Sequence, residues 1–131
     1  MISPIRFLML AVLALGWMST ASAHHSNAAY DMDHLRTIEG TVKEVNWTNP
    51  HITFHVEEDA KDGKPAVEWV FEASSPGVLT RSGWTKRSIQ PGDHATFRYA
   101  PLRDGALGGF LLQVTLQNGT ILTYSLTPAE Q

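Results

Sequence analysis

The chain has no cysteine, and that absence excludes disulfides, thiolate metal sites and a lipid attached at an N-terminal Cys. Any metal site here must be built from nitrogen and oxygen donors. The chain also lacks an apolar run long enough to span a bilayer, which takes roughly 20 residues. Its longest, residues 7–18, has 12. It lacks a basic excess: 10 Lys and Arg stand against 13 Asp and Glu, a net charge of −3. A mildly acidic chain is poorly suited to neutralising phosphates, so nonspecific nucleic-acid binding and docking on anionic lipid are not expected. Nucleophile and phosphate motifs are missing too. Ser74-Ser75 has no strand–elbow context, and residues 105–109 lack the Lys-Ser/Thr ending of a P-loop. There is no internal repeat and no low-complexity segment.

What is present begins with an export signal. Arg6 precedes the 7–18 run, and Ala21-Ser22-Ala23 places small residues at the two positions a signal peptidase reads. Residues 1–23 are therefore expected to be a cleaved signal peptide rather than a retained anchor, and the mature chain to be periplasmic. Removing 23 of 131 residues leaves 108, enough for one domain with a single core. The loss of Arg6 leaves 9 basic against 13 acidic residues, a net charge of −4.

Periodicity predicts an all-β domain over residues 35–127, after an N-terminal arm over 24–34. A first strand over 35–48 puts Ile38, Gly40 and Val42 on one face. The phase then slips to Val45 and Trp47, the signature of a β-bulge near Lys43-Glu44. Ile52, Phe54 and Val56 alternate with His51, Thr53, His55 and Glu57 in a second strand. Asp62-Gly63 marks a hairpin turn into a third strand over 66–72, with Val67, Trp69 and Phe71 inward and Glu68 and Glu72 outward. Ser75-Pro76 reads as an N-cap and first helical position, with the helix stopping at Gly83. Further strands are expected over 94–99, over 110–117 (Phe110, Leu112, Val114 and Leu116 sharing a face) and over 120–126, with a glycine-rich loop over 101–109. A long bulged first strand and one short helix between strands three and four fit a small OB-fold-like Greek-key barrel of five to six strands. A six-stranded sandwich or meander is the rival. Core candidates are Phe54, Trp69, Phe71, Phe97 and Val114.

The chemistry-bearing residues are the six histidines, 24, 25, 34, 51, 55 and 94, all retained after the expected cut. Imidazole suits copper, zinc and nickel, and copper(II) is held most tightly by nitrogen and oxygen donors. A cut after Ala23 makes His24 the first residue, whose free amine and imidazole can chelate one ion. His51, following Asn49-Pro50 at a strand mouth, is the predicted barrel ligand that completes a three-nitrogen histidine brace. His25 is an alternate ligand. A cut after Ala21 gives Ser22-Ala23-His24, itself a copper(II)- and nickel(II)-binding terminus. His51 and His55 cannot share an ion on a regular strand, because four residues span about 13 Å. His55 and His94 are expected to face solvent, His34 to sit in a capped turn with Asp31 and Asp33, and Trp47 and Trp84 to lie in the core or at its rim.

Several segments together are similar to a known family: His24-His25-Ser26, Gly40-Thr41-Val42, Trp47-Thr48-Asn49-Pro50-His51, Ser74-Ser75-Pro76, Gly83-Trp84, Pro91-Gly92-Asp93 and Pro101-Leu102-Arg103-Asp104-Gly105. Over about residues 24–122 the chain resembles small exported bacterial proteins grouped as a domain of unknown function. The resemblance implies export and a compact β domain and supplies no activity. The expected function is periplasmic metal binding, copper being the favoured ion, without turnover. The alternative is a metal-free OB-like module that binds a periplasmic ligand or protein through Trp47, Trp84 and the 101–109 loop. A copper oxygenase ranks last.

Overall fold

The computed structural model describes residues 28–124. The expected signal segment, His24 and His25 lie outside the described residues. Six strands and one helix follow in order: β1 (Arg36–Asn46), β2 (Thr53–Glu58), β3 (Val67–Glu72), α1 (Pro76–Arg81), β4 (His94–Pro101), β5 (Gly108–Leu116) and β6 (Ile121–Thr123). Among the described residues no helix is long and apolar enough to cross a membrane.

The sheet runs β3-β2-β1-β4-β5-β6, and a parallel β3–β5 pairing closes its first five strands into a barrel. This closure separates the OB-like barrel from a sandwich or a meander. β1 serves two neighbours. Gly40 pairs with Glu58 of β2 and with Ala95 of β4, and the register slips between Val42 and Glu44. The extra residue, Lys43, curls β1 so that it can pass from one partner to the other. Gly40 lies three residues before the bulge, where β1 pairs with both neighbours at once. A Cβ there would collide with the Glu57 carbonyl oxygen, so the backbones can approach only over glycine.

The same reason accounts for an error in the sequence reading. Gly108 and Gly109 were expected in a loop, yet they open β5. A Cβ on Gly108 would strike the Val70 carbonyl and one on Gly109 the Ala100 carbonyl, so these glycines permit the β3–β5 and β4–β5 contacts that close the barrel. The face expected for β5 also changes part-way. Tyr99 pairs with Leu111 while Arg98 pairs with Gln113, so Leu112 is bulged. Leu111 and Val114 are buried, and Phe110 and Leu112 turn away from the centre.

The core is aromatic. Phe71 lies between Phe97 (ring centroids 5.8 Å), Tyr99 (4.8 Å) and Trp69 (6.0 Å). Phe54, Phe71, Phe97 and Val114 are fully buried as expected, and Trp69 is partly exposed. Helix α1 closes one barrel end with Leu79. Ser75 caps it through the Val78 amide (3.4 Å), and Gly83 follows with φ 89°. Trp84 then turns inward against Phe54 (6.3 Å) and donates its indole N–H to the Thr123 carbonyl (3.2 Å), tying the helix end to β6. At 1% exposure Trp84 is core, so it cannot line a ligand groove.

Candidate functional site

The β2–β3 hairpin turns at Asp62 (φ 53°) and Gly63 (φ 70°), two successive positive φ angles of the kind a two-residue hairpin turn demands. Folding about that point sets Thr53 opposite Glu72, His55 opposite Val70 and Glu57 opposite Glu68. Ile52, Phe54 and Val56 are buried, which leaves His51, Thr53, His55 and Glu57 on the outside with Glu68, Val70 and Glu72. His51 precedes β2, just after the cis Asn49–Pro50 bond. It stays in the ladder's continuation, because Ile52 donates to the Ser74 carbonyl (3.2 Å) and accepts from Ala73 (2.8 Å).

Each histidine among the described residues meets a carboxylate. His51 Nδ1 lies 2.6 Å from Glu72 Oε1, and His55 Nδ1 lies 2.9 Å from Glu68 Oε1, both one step diagonally across the hairpin. His94 Nε2 lies 2.8 Å from Asp59 Oδ2, and its Nδ1 faces the Gln117 amide at 3.4 Å. His34 Nδ1 lies 2.9 Å from Asp31 Oδ2, and Asp31 Oδ1 also accepts from the Asp33 amide, so this segment is the capped turn that was expected. The His34 hydrogen bond holds the Asp31 carboxyl below its ordinary range. With both ring nitrogens engaged, His94 is a clamp between strand ends. His51 has no described partner at Nε2, and its side chain is 43% exposed.

Tyr30 makes the His51 corner different from the others. The arm is stitched to the end of β4 by hydrogen bonds from Asp31 to the Pro101 carbonyl (2.8 Å) and from Arg103 to the Ala29 carbonyl (2.9 Å), around a Tyr30–Leu102 bridge. The Tyr30 ring packs on Phe110 (5.6 Å), which also meets Tyr124 (5.7 Å). Phe110 is the parallel-strand neighbour of Glu72, so the Tyr30 ring packed on it lies on the same seam as Glu72. Burial pushes the Tyr30 hydroxyl up to about 12, with the charge of Glu72 and the hydrogen bond to it adding to the shift. Glu72 thus lies at the seam where β3 and β5 close the barrel, with His51 Nδ1 2.6 Å from its carboxylate.

The sequence reading selected His51 and missed Glu72 and Tyr30. Glu72 was recoverable, since folding the hairpin symmetrically about Asp62-Gly63 places it beside His51. Tyr30 carries no such signal. Among the described residues no group of three or more His, Asp or Glu side chains is arranged to hold a metal ion, so the barrel itself offers the His51–Glu72 pair and no closed site. Beside the arm lies a cavity of about 320 Å³ lined by Asp31, Arg36, Trp69, Leu102, Arg103 and Leu107. The loop between β4 and β5, residues 102–107, forms much of its wall, and Trp69 takes the place the sequence reading gave to Trp84.

A family model matches residues 11–112, most of the chain. The chain belongs to DUF6152, a family of unknown function. The DUF6152 match includes the segment that carries His24, His25 and the Trp47–His51 motif, and it ends inside β5. No curated protein matches the chain.

Proposed function

We propose that this DUF6152 member is a periplasmic copper-binding protein that holds or delivers the ion without turning over a substrate. His24, freed by signal cleavage, supplies its amine and imidazole. His51 supplies the third nitrogen, and His25 is the alternate ligand. The observation that carries this reading is the anchoring of the arm at residues 29–31 by backbone hydrogen bonds to Pro101 and Arg103, beside a His51 whose side chain is 43% exposed. His24 is six residues before Tyr30, a tether of about 20–22 Å at roughly 3.3–3.6 Å per residue, a reach that allows its amine to approach His51. His51 Nδ1 lies 2.6 Å from a carboxylate oxygen, and a carboxylate beside a ring nitrogen is a common feature of metal-ligating histidines.

The test is copper(II) binding by correctly processed protein, with electron paramagnetic resonance to count bound nitrogens. The reading requires a Kd tighter than about 10 μM, equivalent to about 7 kcal/mol, three nitrogen ligands, and loss of one nitrogen in His51→Ala. Weaker binding, or a spectrum unchanged by His51→Ala, contradicts it.

A second reading is favoured by the cavity beside the arm: a metal-free module that binds a periplasmic ligand or protein. Arg36, Arg103 and Trp69 all line that cavity, two positive charges and one indole. Chelator-insensitive binding of one partner, lost in Trp69→Ala and kept in His51→Ala, supports this reading over copper.

A further inference from the structure

We infer that the cavity beside the arm is a binding site for a small aromatic carboxylate: the Arg36 guanidinium takes the anion, and Trp69 with Leu107 takes the flat apolar body. The inference rests on the metal-free reading, to which it gives a ligand class, and is independent of copper.

The two ends of the barrel are finished differently. Leu79 of α1 and Trp84, neither more than 1% exposed, seal one end. The cavity lies at the other, where β1, β3 and β5 begin and β4 ends. At about 320 Å³ it is at the small end of ligand sites, which run from about 300 to 1,000 Å³, and barrel mouths are among the places where such sites form.

Its wall is set before any ligand arrives. Gly105 takes φ 81° and donates to the Leu102 carbonyl (3.2 Å). Ala106 donates to Asp104 Oδ1 (2.9 Å), and the Leu107 carbonyl accepts from Val70 of β3 (3.1 Å). A wall ordered in advance spares a ligand the entropic cost of ordering it. Trp69 is held in the same way. Its indole N–H donates to Glu58 Oε2 (2.8 Å), and its ring stacks on Phe71 (interplanar angle 13°) and tilts against Tyr99 (5.5 Å). With its only donor spent, the indole has π surface left to offer, which suits a flat apolar group. Leu107, 49% exposed, adds apolar surface that a ligand would take out of water.

Charge sets the sign of the ligand. The charged side chains on the wall are Asp31, Arg36 and Arg103. Asp31 faces Arg103 at 3.9 Å and also meets His34 (2.9 Å), so Asp31 and Arg103 offset each other. Glu58 is taken up by the indole N–H and does not line the cavity. Arg36 makes no ion pair among the described residues. A chain of net charge −3 therefore presents an unmatched guanidinium on this wall. A guanidinium fork binds a carboxylate through two parallel N–H···O bonds, which a neutral amide cannot match.

The experiment is nitrogen-15 NMR of the processed protein with EDTA present, observing the Trp69 indole and the arginine side chains during titration with naphthoate, with its neutral analogue naphthamide, and with acetate. Naphthoate is expected to shift the Trp69 and Arg36 signals with a Kd of about 1 mM or tighter. Naphthamide, which lacks the charge, and acetate, which lacks the ring, should each bind at least about tenfold more weakly. Arg36→Gln, at an exposed position that leaves the core alone, should weaken naphthoate at least about tenfold. Arg103→Gln, whose charge Asp31 already offsets, should weaken it less than about threefold. No shift with naphthoate up to about 10 mM, or an Arg36→Gln protein that binds it unchanged, overturns the inference. Naphthamide binding as tightly as naphthoate also overturns it, but leaves the cavity a ligand site and the metal-free reading intact. A protein partner captured through Trp69 by a chain that ignores naphthoate would likewise sink this inference and keep that reading.

Discussion

Alkaline pH provides a direct probe of the Tyr30–Glu72 contact. The folded phenol is pushed up to about 12, against an ordinary value of 10, by burial first and by the Glu72 carboxylate second. Below pH 10 the group is protonated in both folded and unfolded chains and contributes no pH dependence. Between pH 10 and 12 the unfolded chain ionises while the folded one resists, so stability falls as pH rises through that window. Two units at full value correspond to about 2.7 kcal/mol. Glu72 is one-third exposed, so solvent screening brings the expected loss down to about 1–2 kcal/mol. The assay is urea unfolding from pH 8 to 12 for the parent and Tyr30→Phe, which keeps the ring packing and removes the ionisable group. Subtracting the two curves isolates Tyr30 from the lysines and from Tyr99, whose hydroxyl is also raised by burial. The difference should be flat up to about pH 10 and then close by about 1–2 kcal/mol. A flat difference across the whole range, or a phenolate absorbance titration with all three tyrosines ionising near 10, refutes the placement of Tyr30 against Glu72.

Two substitutions test the barrel. Gly40→Ala forces a methyl group into the Glu57 carbonyl and should cost at least about 1–3 kcal/mol in urea unfolding; an unchanged midpoint contradicts the close approach of β1 to β2. Trp84→Ala empties a site that is 1% exposed and should cost about 3–5 kcal/mol, whereas a loss below about 1 kcal/mol would mean the indole is not core.

Much of this architecture was legible in the sequence because local signals and long-range pairing agree. The slip from Val42 to Val45 announced the bulge, Ser75-Pro76 and Gly83 bracketed α1, and Asp62-Gly63 fixed the hairpin register. β5 was misjudged because its defining contacts are not local. Gly108 and Gly109 look like loop residues until the Val70 and Ala100 carbonyls are brought against them, and the Leu112 bulge depends on pairing with β4. The site was half legible for the same reason. His51 stands beside a turn signal, and Glu72 follows from hairpin symmetry. Tyr30 has no periodic neighbours, and its role exists only once the arm is laid on residues 101–103.

We propose above that copper(II) is bound by an amino-terminal imidazole brought to the His51 corner. The most direct test of that proposal is a calorimetric copper(II) titration of protein beginning at His24, beside the same protein carrying one additional glycine in front. That glycine leaves every side chain in place and moves the free amine off His24. The account predicts a Kd tighter than about 10 μM for the first protein and a loss of at least about tenfold for the second. Equal affinity in the two, or no binding in the first, contradicts it.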